Sequence, residues 1–285
     1  MNTAPRPRFR IPTGMPLVNL LCGGWSWLVF AFLYLPIVLL VVFSFNKSEL
    51  VSVWEGFSFE WYGKLWENTT LIDAMKNSLI IAGVTTVLSV LLGTVGAWLL
   101  YRYKFPGLRA LGTLIFIPMV IPEVIMGVSL LIFFNAAAVP LNHWLATFTE
   151  SEFGLGFATI IIAHTTFCFP FVLVAVQARL AGVDPCLEEA AMDLGAPPLK
   201  AFWLVMVPYL IPAVISGALM SFTLSMDEVI VTYFVYSPES QTLPIKVFGL
   251  AKKGLDPSLN AISAVFILAT AVLTVLSESV RKLNR

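Results

Sequence analysis

With 58% hydrophobic and only 12% charged residues and a mean hydropathy of +0.87, the 285-residue chain carries more apolar surface than one soluble core can hide; an average soluble domain is about 25% charged. A formal net charge of zero leaves no basic face to neutralise phosphates, which excludes a nucleic-acid partner. Cys22, Cys168 and Cys186 are scattered without metal or redox spacing, so neither a metal centre nor a disulfide framework is expected.

The N-terminus places Arg6, Arg8 and Arg10 before an apolar run, as a secretory signal would. The run from 17 to 45 is too long for a signal and no small-residue cleavage site closes it, so it is expected to stay as a first membrane span. Five further apolar segments follow at 78–101, 111–134, 155–176, 202–225 and 259–276. Each approaches the roughly 20 residues that a hydrocarbon layer of about 30 Å requires. An unpaired backbone group in lipid costs several kcal/mol, and the alternation that a barrel needs is absent, so these segments are helices. The fold class is therefore all-α, an integral six-transmembrane-helix bundle. A tail at 1–16, a transmembrane domain at 17–279 and a tail at 280–285 divide the chain.

Between the first two spans, Trp54, Phe57, Phe59, Trp61, Tyr62 and Trp66 crowd a polar stretch, the pattern of an interfacial aromatic belt. In the third span Pro118 and Pro122 each lack an amide donor, which predicts a kinked or broken helix. His143 is placed in an external loop, and His164, within the fourth span, as a hydrogen-bonded packing residue. After that span, Glu188 and Glu189 open a short amphipathic helix over 185–194, where the helix dipole favours acids. Gly195 is positioned as its left-handed C-cap, and Pro197 and Pro198 forbid immediate continuation. Beyond the fifth span, 229–250 is apolar and β-branched but interrupted by Pro238, Pro244 and Gly249, so it is either an extension of that span or a re-entrant piece packed against protein.

Basic residues orient the bundle. With the N-terminus inside, Arg102, Lys104, Arg109, Arg179, Lys200, Arg281, Lys282 and Arg285 join the N-terminal arginines on one side, whereas acids such as Glu49, Glu55, Glu150, Asp227 and Glu239 lean to the other. The bias expects both termini in the cytoplasm and an acidic outer face that attracts cations.

The segment between the fourth and fifth spans carries the functional signal. Glu189, Ala190 and Ala191, then Gly195 after three residues, then Val205, Met206, Val207 and Pro208 after nine more, resemble the E-A-A loop of ABC importer permeases, whose pattern closes on I-x-L-P. The chain departs from it only by Val205 for isoleucine and Val207 for leucine. The likeness extends to the permeases of spermidine and putrescine importers, their C-type subunit above all. It is carried by S-F-N at 44–46, L-Y-R-Y-K-F at 100–105, P-E-V at 122–124, T-F-C-F-P-F-V at 166–172 and S-F-T-L-S-M-D-E-V at 221–229.

That resemblance implies the type I importer fold in a bacterial inner membrane, with the loop at about 184–208 docking on an ATP-binding subunit through Glu189, Ala190, Ala191, Gly195 and Pro208. No G-x-x-x-x-G-K-[S/T] occurs, so ATP and Mg would be used by a partner and no cofactor by this chain. Implied partners are two ATP-binding subunits, a second permease subunit making a heterodimer, a periplasmic polyamine-binding protein and the lipid bilayer. A polyamine carries ammonium groups separated by methylenes and suits spaced carboxylates with aromatic faces between them. The resemblance and this chemistry point to Trp54, Glu123, Ser225, Asp227, Glu228 and Tyr233 as the substrate pathway. An intramembrane acid also suits an ion-coupled secondary transporter, which would account for Glu123 but not for the loop. Related permeases carry other cations, metals or small organic solutes. An intramembrane enzyme would need a catalytic pair that the two histidines do not supply.

Overall fold

The computed structural model describes residues 16–49, 53–104, 106–145, 153–184, 186–253 and 257–283. Nearly all of the expected N-terminal tail, the last two residues of the C-terminal tail and Glu150 lie outside them. The described residues form helices α1 (Pro16–Phe43), α2 (Glu60–Glu67), α3 (Thr69–Arg102), α4 (Leu108–Val120), α5 (Glu123–Leu145), α6 (Phe157–Leu180), α7 (Cys186–Asp193), α8 (Pro198–Ala201), α9 (Val207–Asp227), α10 (Ile230–Val235), α11 (Leu243–Lys253) and α12 (Pro257–Leu283). Five stretches are long and apolar enough to cross a membrane: Leu21–Phe43, Thr69–Arg102, Glu123–His143, Phe157–Leu180 and Phe202–Asp227. The expected sixth span falls on α12, with a shorter apolar stretch at Pro257–Val272.

The third span, over 111–134, is broken as its prolines predict. It divides into α4 and α5 because Pro122 has no amide to donate and forces Ile121 into an extended conformation, φ −68° and ψ 131°. Pro118 stays inside α4, so only the second proline breaks the chain.

Three helices make the centre. Most of α6 is buried by protein, whereas the apolar length of α1 is covered by none, although both are strongly apolar helices. Val172 of α6 sits between two glycines: a Cβ on Gly93 of α3 would lie 2.7 Å from Val172 Cβ and 2.9 Å from both Leu173 N and Phe169 O, and a Cβ on Gly217 of α9 would lie 3.0 Å from Val172 Cγ1. Small residues let helix backbones approach where lipid supplies no hydrophobic drive for packing. Around this crossing, Ala97, Leu173, Val176, Leu180, Met206 and Leu210 are buried together. Overpacking such a contact typically costs about 1–3 kcal/mol. Gly93→Ala is therefore expected to lower the melting temperature of the purified protein, while Gly83→Ala on the open face of the same helix leaves it unchanged. Equal melting of the two variants would rule out the crossing as a tight contact.

The aromatic stretch before α3 is more than a belt. Asn46 organises it: its side-chain oxygen accepts from Ser48 N at 3.3 Å and Glu55 N at 3.0 Å, its amide donates to Val53 O at 2.6 Å, and its carbonyl accepts from Trp61 Nε1 at 2.9 Å. Phe45 stacks on Phe57 at 5.3 Å and meets Phe59 edge-on at 5.5 Å. Trp61 is buried and hydrogen-bonded there, an environment that aromatic composition alone does not distinguish from a headgroup belt.

Residues 229–250 resolve into α10, a short turn over Pro238–Ser240 and the start of α11, packed on protein. Thr159 Oγ1 donates to Val235 O at 2.8 Å, Asn77 Nδ2 to Glu239 O and Gln241 O at 3.1 Å each, and Ser78 Oγ accepts from Leu243 N at 2.8 Å. These side chains satisfy the backbone groups freed by each break, the condition for irregular chain at membrane depth. Gly127 of α5 admits Phe234 of α10, whose ring occupies the place of a side chain there.

Candidate functional site: a protruding loop and a broken helix

The loop after α6 is built as its residues demand. Asp184 accepts Cys186 N at 3.0 Å through its side chain, starting α7. At the other end Gly195, with φ +89°, donates to Met192 O at 2.9 Å while Ala196 N donates to Ala191 O at 3.1 Å. This is the Schellman closure, in which a left-handed residue satisfies two terminal carbonyls. The two acids of α7 face opposite ways. Glu188 is 6% exposed, with Oε2 3.7 Å from Arg102 Nη1 at the end of α3; Glu189 is exposed. Ala190 is exposed and Ala191 half-buried.

Pro208 shapes the start of the fifth span. It has no amide for Leu204, and a proline ring displaces the carbonyl four residues before it. The chain widens into a π-type segment, Phe202–Met206, with Val207 N donating to Phe202 O. A cavity of about 310 Å³ opens between Ala191, Leu194, Gly195, Ala196, Lys200 and the start of this segment, and Leu194 stands 91% exposed beside it. At the end of α6, Arg179 is tied to the start of α9, its guanidinium 4.2 Å over the Tyr209 ring and its Nε donating to Tyr209 O at 3.3 Å.

The second region is the break between α9 and α10. Glu228 is 8% exposed and its Oε1 accepts Val231 N at 2.7 Å, capping α10. Thr232 Oγ1 donates to Glu228 O at 3.0 Å and meets His164 Nε2 at 2.8 Å; the other ring nitrogen meets Ser225 Oγ at 2.8 Å. His164 is thus the packing residue expected, joining α6, α9 and α10. Ser225 is buried, with its hydroxyl committed to that histidine. Asp227, by contrast, is exposed and lines a cavity of about 400 Å³ with Phe248 and residues of α11 and α12. Tyr233 stands edge-on to Phe248 at 6.3 Å and tilted to Tyr236 at 6.2 Å.

Glu123 is exposed at the start of α5. The remaining pathway candidate, Trp54, lies elsewhere: half exposed, it packs edge-on against Phe43 at 6.0 Å and takes no part in the Asp227 cavity. Sequence reasoning missed the Arg102–Glu188 tie and the cap that Glu228 gives α10. The only available signals were an acid one residue before the motif and an acid three residues before Val231. Among the described residues no group of three or more His, Cys, Asp or Glu side chains is arranged to hold a metal.

Residues 89–284 match the family described as binding-protein-dependent transport system inner membrane component. The chain is 38% identical over 262 residues to the spermidine/putrescine transport system permease protein PotC of Haemophilus influenzae, covering 92% of this chain and 96% of that one. It is 41% identical over 244 residues to the putrescine transport system permease protein PotI of Escherichia coli K12, covering 85% and 84%. In fold it is similar to a chain from the crystal structure of a bacterial alginate ABC transporter in complex with its alginate pentasaccharide-bound periplasmic protein. The TM-score is 0.71 at 18% identity, over 94% of this chain and 93% of that one.

Proposed function

The chain belongs to the family of binding-protein-dependent transport system inner membrane components, and from that membership we propose that it is the permease subunit of an ATP-driven importer passing polyamines, putrescine or spermidine, from a periplasmic binding protein into the cytoplasm. The observation that carries the ATP-driven part is the loop: a short helix closed at Gly195, with Glu189 exposed for a partner and Glu188 held to the end of α3. The cargo is supported by the relatives named for spermidine and putrescine, and by a carboxylate, Asp227, that shares a cavity with an aromatic ring.

In this reading two ATP-binding subunits use ATP and Mg, dock on α7 and move it; a second permease subunit completes the pathway. The apolar, protein-free face of α1 is available to lipid or to that subunit. Asp227 and the rings of Tyr233 and Phe248 receive ammonium groups in turn. Weak contacts suffice here, because the binding protein supplies affinity and a cation on a ring gains only about 0.5–2 kcal/mol. The direct test is reconstitution with the co-purifying subunits and ATP-dependent uptake of radiolabelled polyamines, set against amino acids and iron. Uptake of another solute class alone would overturn the cargo; uptake that survives without ATP and stops with an uncoupler would overturn the class.

The orientation has its own test. Cys186 is exposed on α7 and Cys22 on α1, whereas Cys168 is buried, so the test is made in a Cys22→Ser background. A charged, membrane-impermeant maleimide is expected to label Cys186 in inverted vesicles and not in right-side-out ones. The hydrogen bond and charge of Asp184 push the Cys186 thiol above its ordinary value, so less thiolate is present at neutral pH and labelling rises as pH is raised. Asp184→Asn is expected to speed it at pH 7. Labelling from the outer face would place the loop on the wrong side.

A further inference from the structure

The aromatic rings next to the Asp227 cavity carry a protein cation that the transport reading does not use. Lys252, near the end of α11, holds its Nζ 4.3 Å over the ring of Phe248 and 5.7 Å from the ring centre of Tyr233. Phe248 and Lys252 are four apart on one helix, where contact is ordinary; Tyr233 belongs to α10, so the second ring is brought to the same ammonium by tertiary packing. Among the described residues the Lys252 ammonium is in no salt bridge. Both rings keep an exposed face, Phe248 at 41% and Tyr233 at 48% exposure, and Phe248 also lines the Asp227 cavity. A protein cation therefore rests on the aromatic surface that a transported cation would use.

Resting on the polyamine reading, we propose that Lys252 is a tethered stand-in for the cargo: between transport events its ammonium covers the Phe248 and Tyr233 rings, and an arriving polyamine ammonium displaces it. The chemistry is matched, since a lysine side chain is four methylenes ending in a primary ammonium, the same group as one end of 1,4-diaminobutane. Displacement exchanges one cation for another on the same rings, so the surface is never left bare and the cargo is held weakly. Weak holding favours onward passage, because a site on a pathway must release what it binds.

The test uses the intact complex in lipid nanodiscs. Acylation of Lys252 by an amine-reactive reagent is followed by mass spectrometry as a ratio to exposed Lys76, which cancels reagent consumed by the ligand. Saturating 1,4-diaminobutane is expected to raise that ratio several-fold, and neutral 1,4-butanediol to leave it unchanged. In binding of radiolabelled 1,4-diaminobutane to the nanodisc complex without binding protein, Lys252→Ala and Lys252→Gln are expected to lower the half-saturating concentration about 3–10-fold, the scale of a lost cation–π competitor, and Phe248→Leu to erase that gain. An unchanged labelling ratio, or a half-saturating concentration that stays put or rises in both lysine variants, overturns the proposal while polyamine uptake by the wild type leaves the cargo reading intact. A wild-type complex that takes up no polyamine overturns both.

Discussion

Glu189→Lys is expected to leave the protein in the membrane at normal level but to reduce binding-protein-stimulated ATP hydrolysis and uptake together by at least about tenfold. The acid lies in the first turn of α7, exposed and without a salt-bridge partner among the described residues. A positive charge there faces the wrong end of the helix dipole and, on a docking surface chosen for an acid, puts like charges together at a cost of several kcal/mol. Each 1.4 kcal/mol is a factor of ten in affinity, so loss of docking is the dominant effect. Glu188→Gln separates docking from transmission. It loosens the tie to Arg102 without altering the exposed face, and should permit assembly while lowering uptake per ATP hydrolysed. Normal uptake by Glu189→Lys would sink the docking role.

Asp227→Asn is expected to lower the maximal rate of polyamine uptake about tenfold or more with ATP hydrolysis by the complex still stimulated. Asparagine keeps the shape and loses the charge, and hydrogen bonds to charged groups are worth about 1.5–3 kcal/mol. Its neighbour predicts the contrast. Glu228 spends its carboxylate on Val231 N, a role that a glutamine oxygen can take over, so Glu228→Gln should transport nearly as wild type and Glu228→Ala should destabilise α10. Wild-type uptake by Asp227→Asn would remove that residue from the pathway. If Glu228→Gln alone were defective, the two acids would have to exchange roles.

Those adjacent carboxylates mark where the sequence stops being readable. Their position at the end of an apolar helix was visible; which faces a cavity and which caps the next helix depends on the break after Asp227, fixed by α5, α6 and their contacts. The same distinction separates α1 from α6. Hydropathy scores lipid and protein surroundings alike, so it cannot tell a peripheral helix from the central one. Gly93 and Gly217, meeting Val172 from two sides, mark the centre, and glycines far apart in the chain do not announce a common partner.

Local rules succeeded where the cause is local. Pro122 broke the third span and Gly195 closed α7 in the left-handed region because each acts on its own backbone. Trp61 and Ser225 were harder: their environments, Asn46 O and His164, lie 15 and 61 residues away. The loop was legible as a motif, but the inward face of α7 was not, since Arg102 lies on another span.

The crossing at Val172 has a mechanical corollary. Backbones this close strongly resist being pulled apart, and the contact at Gly93, which has no side chain of its own to interlock, lets α3 pivot about the valine as about a rivet. Arg102 stands nine residues beyond Gly93 on α3, about 13 Å at about 1.5 Å per residue, so a swing of about 10° carries it about 2 Å sideways. A tug of that size at Glu188 would swing the far end of α3 in the opposite sense, with the rivet itself unmoved.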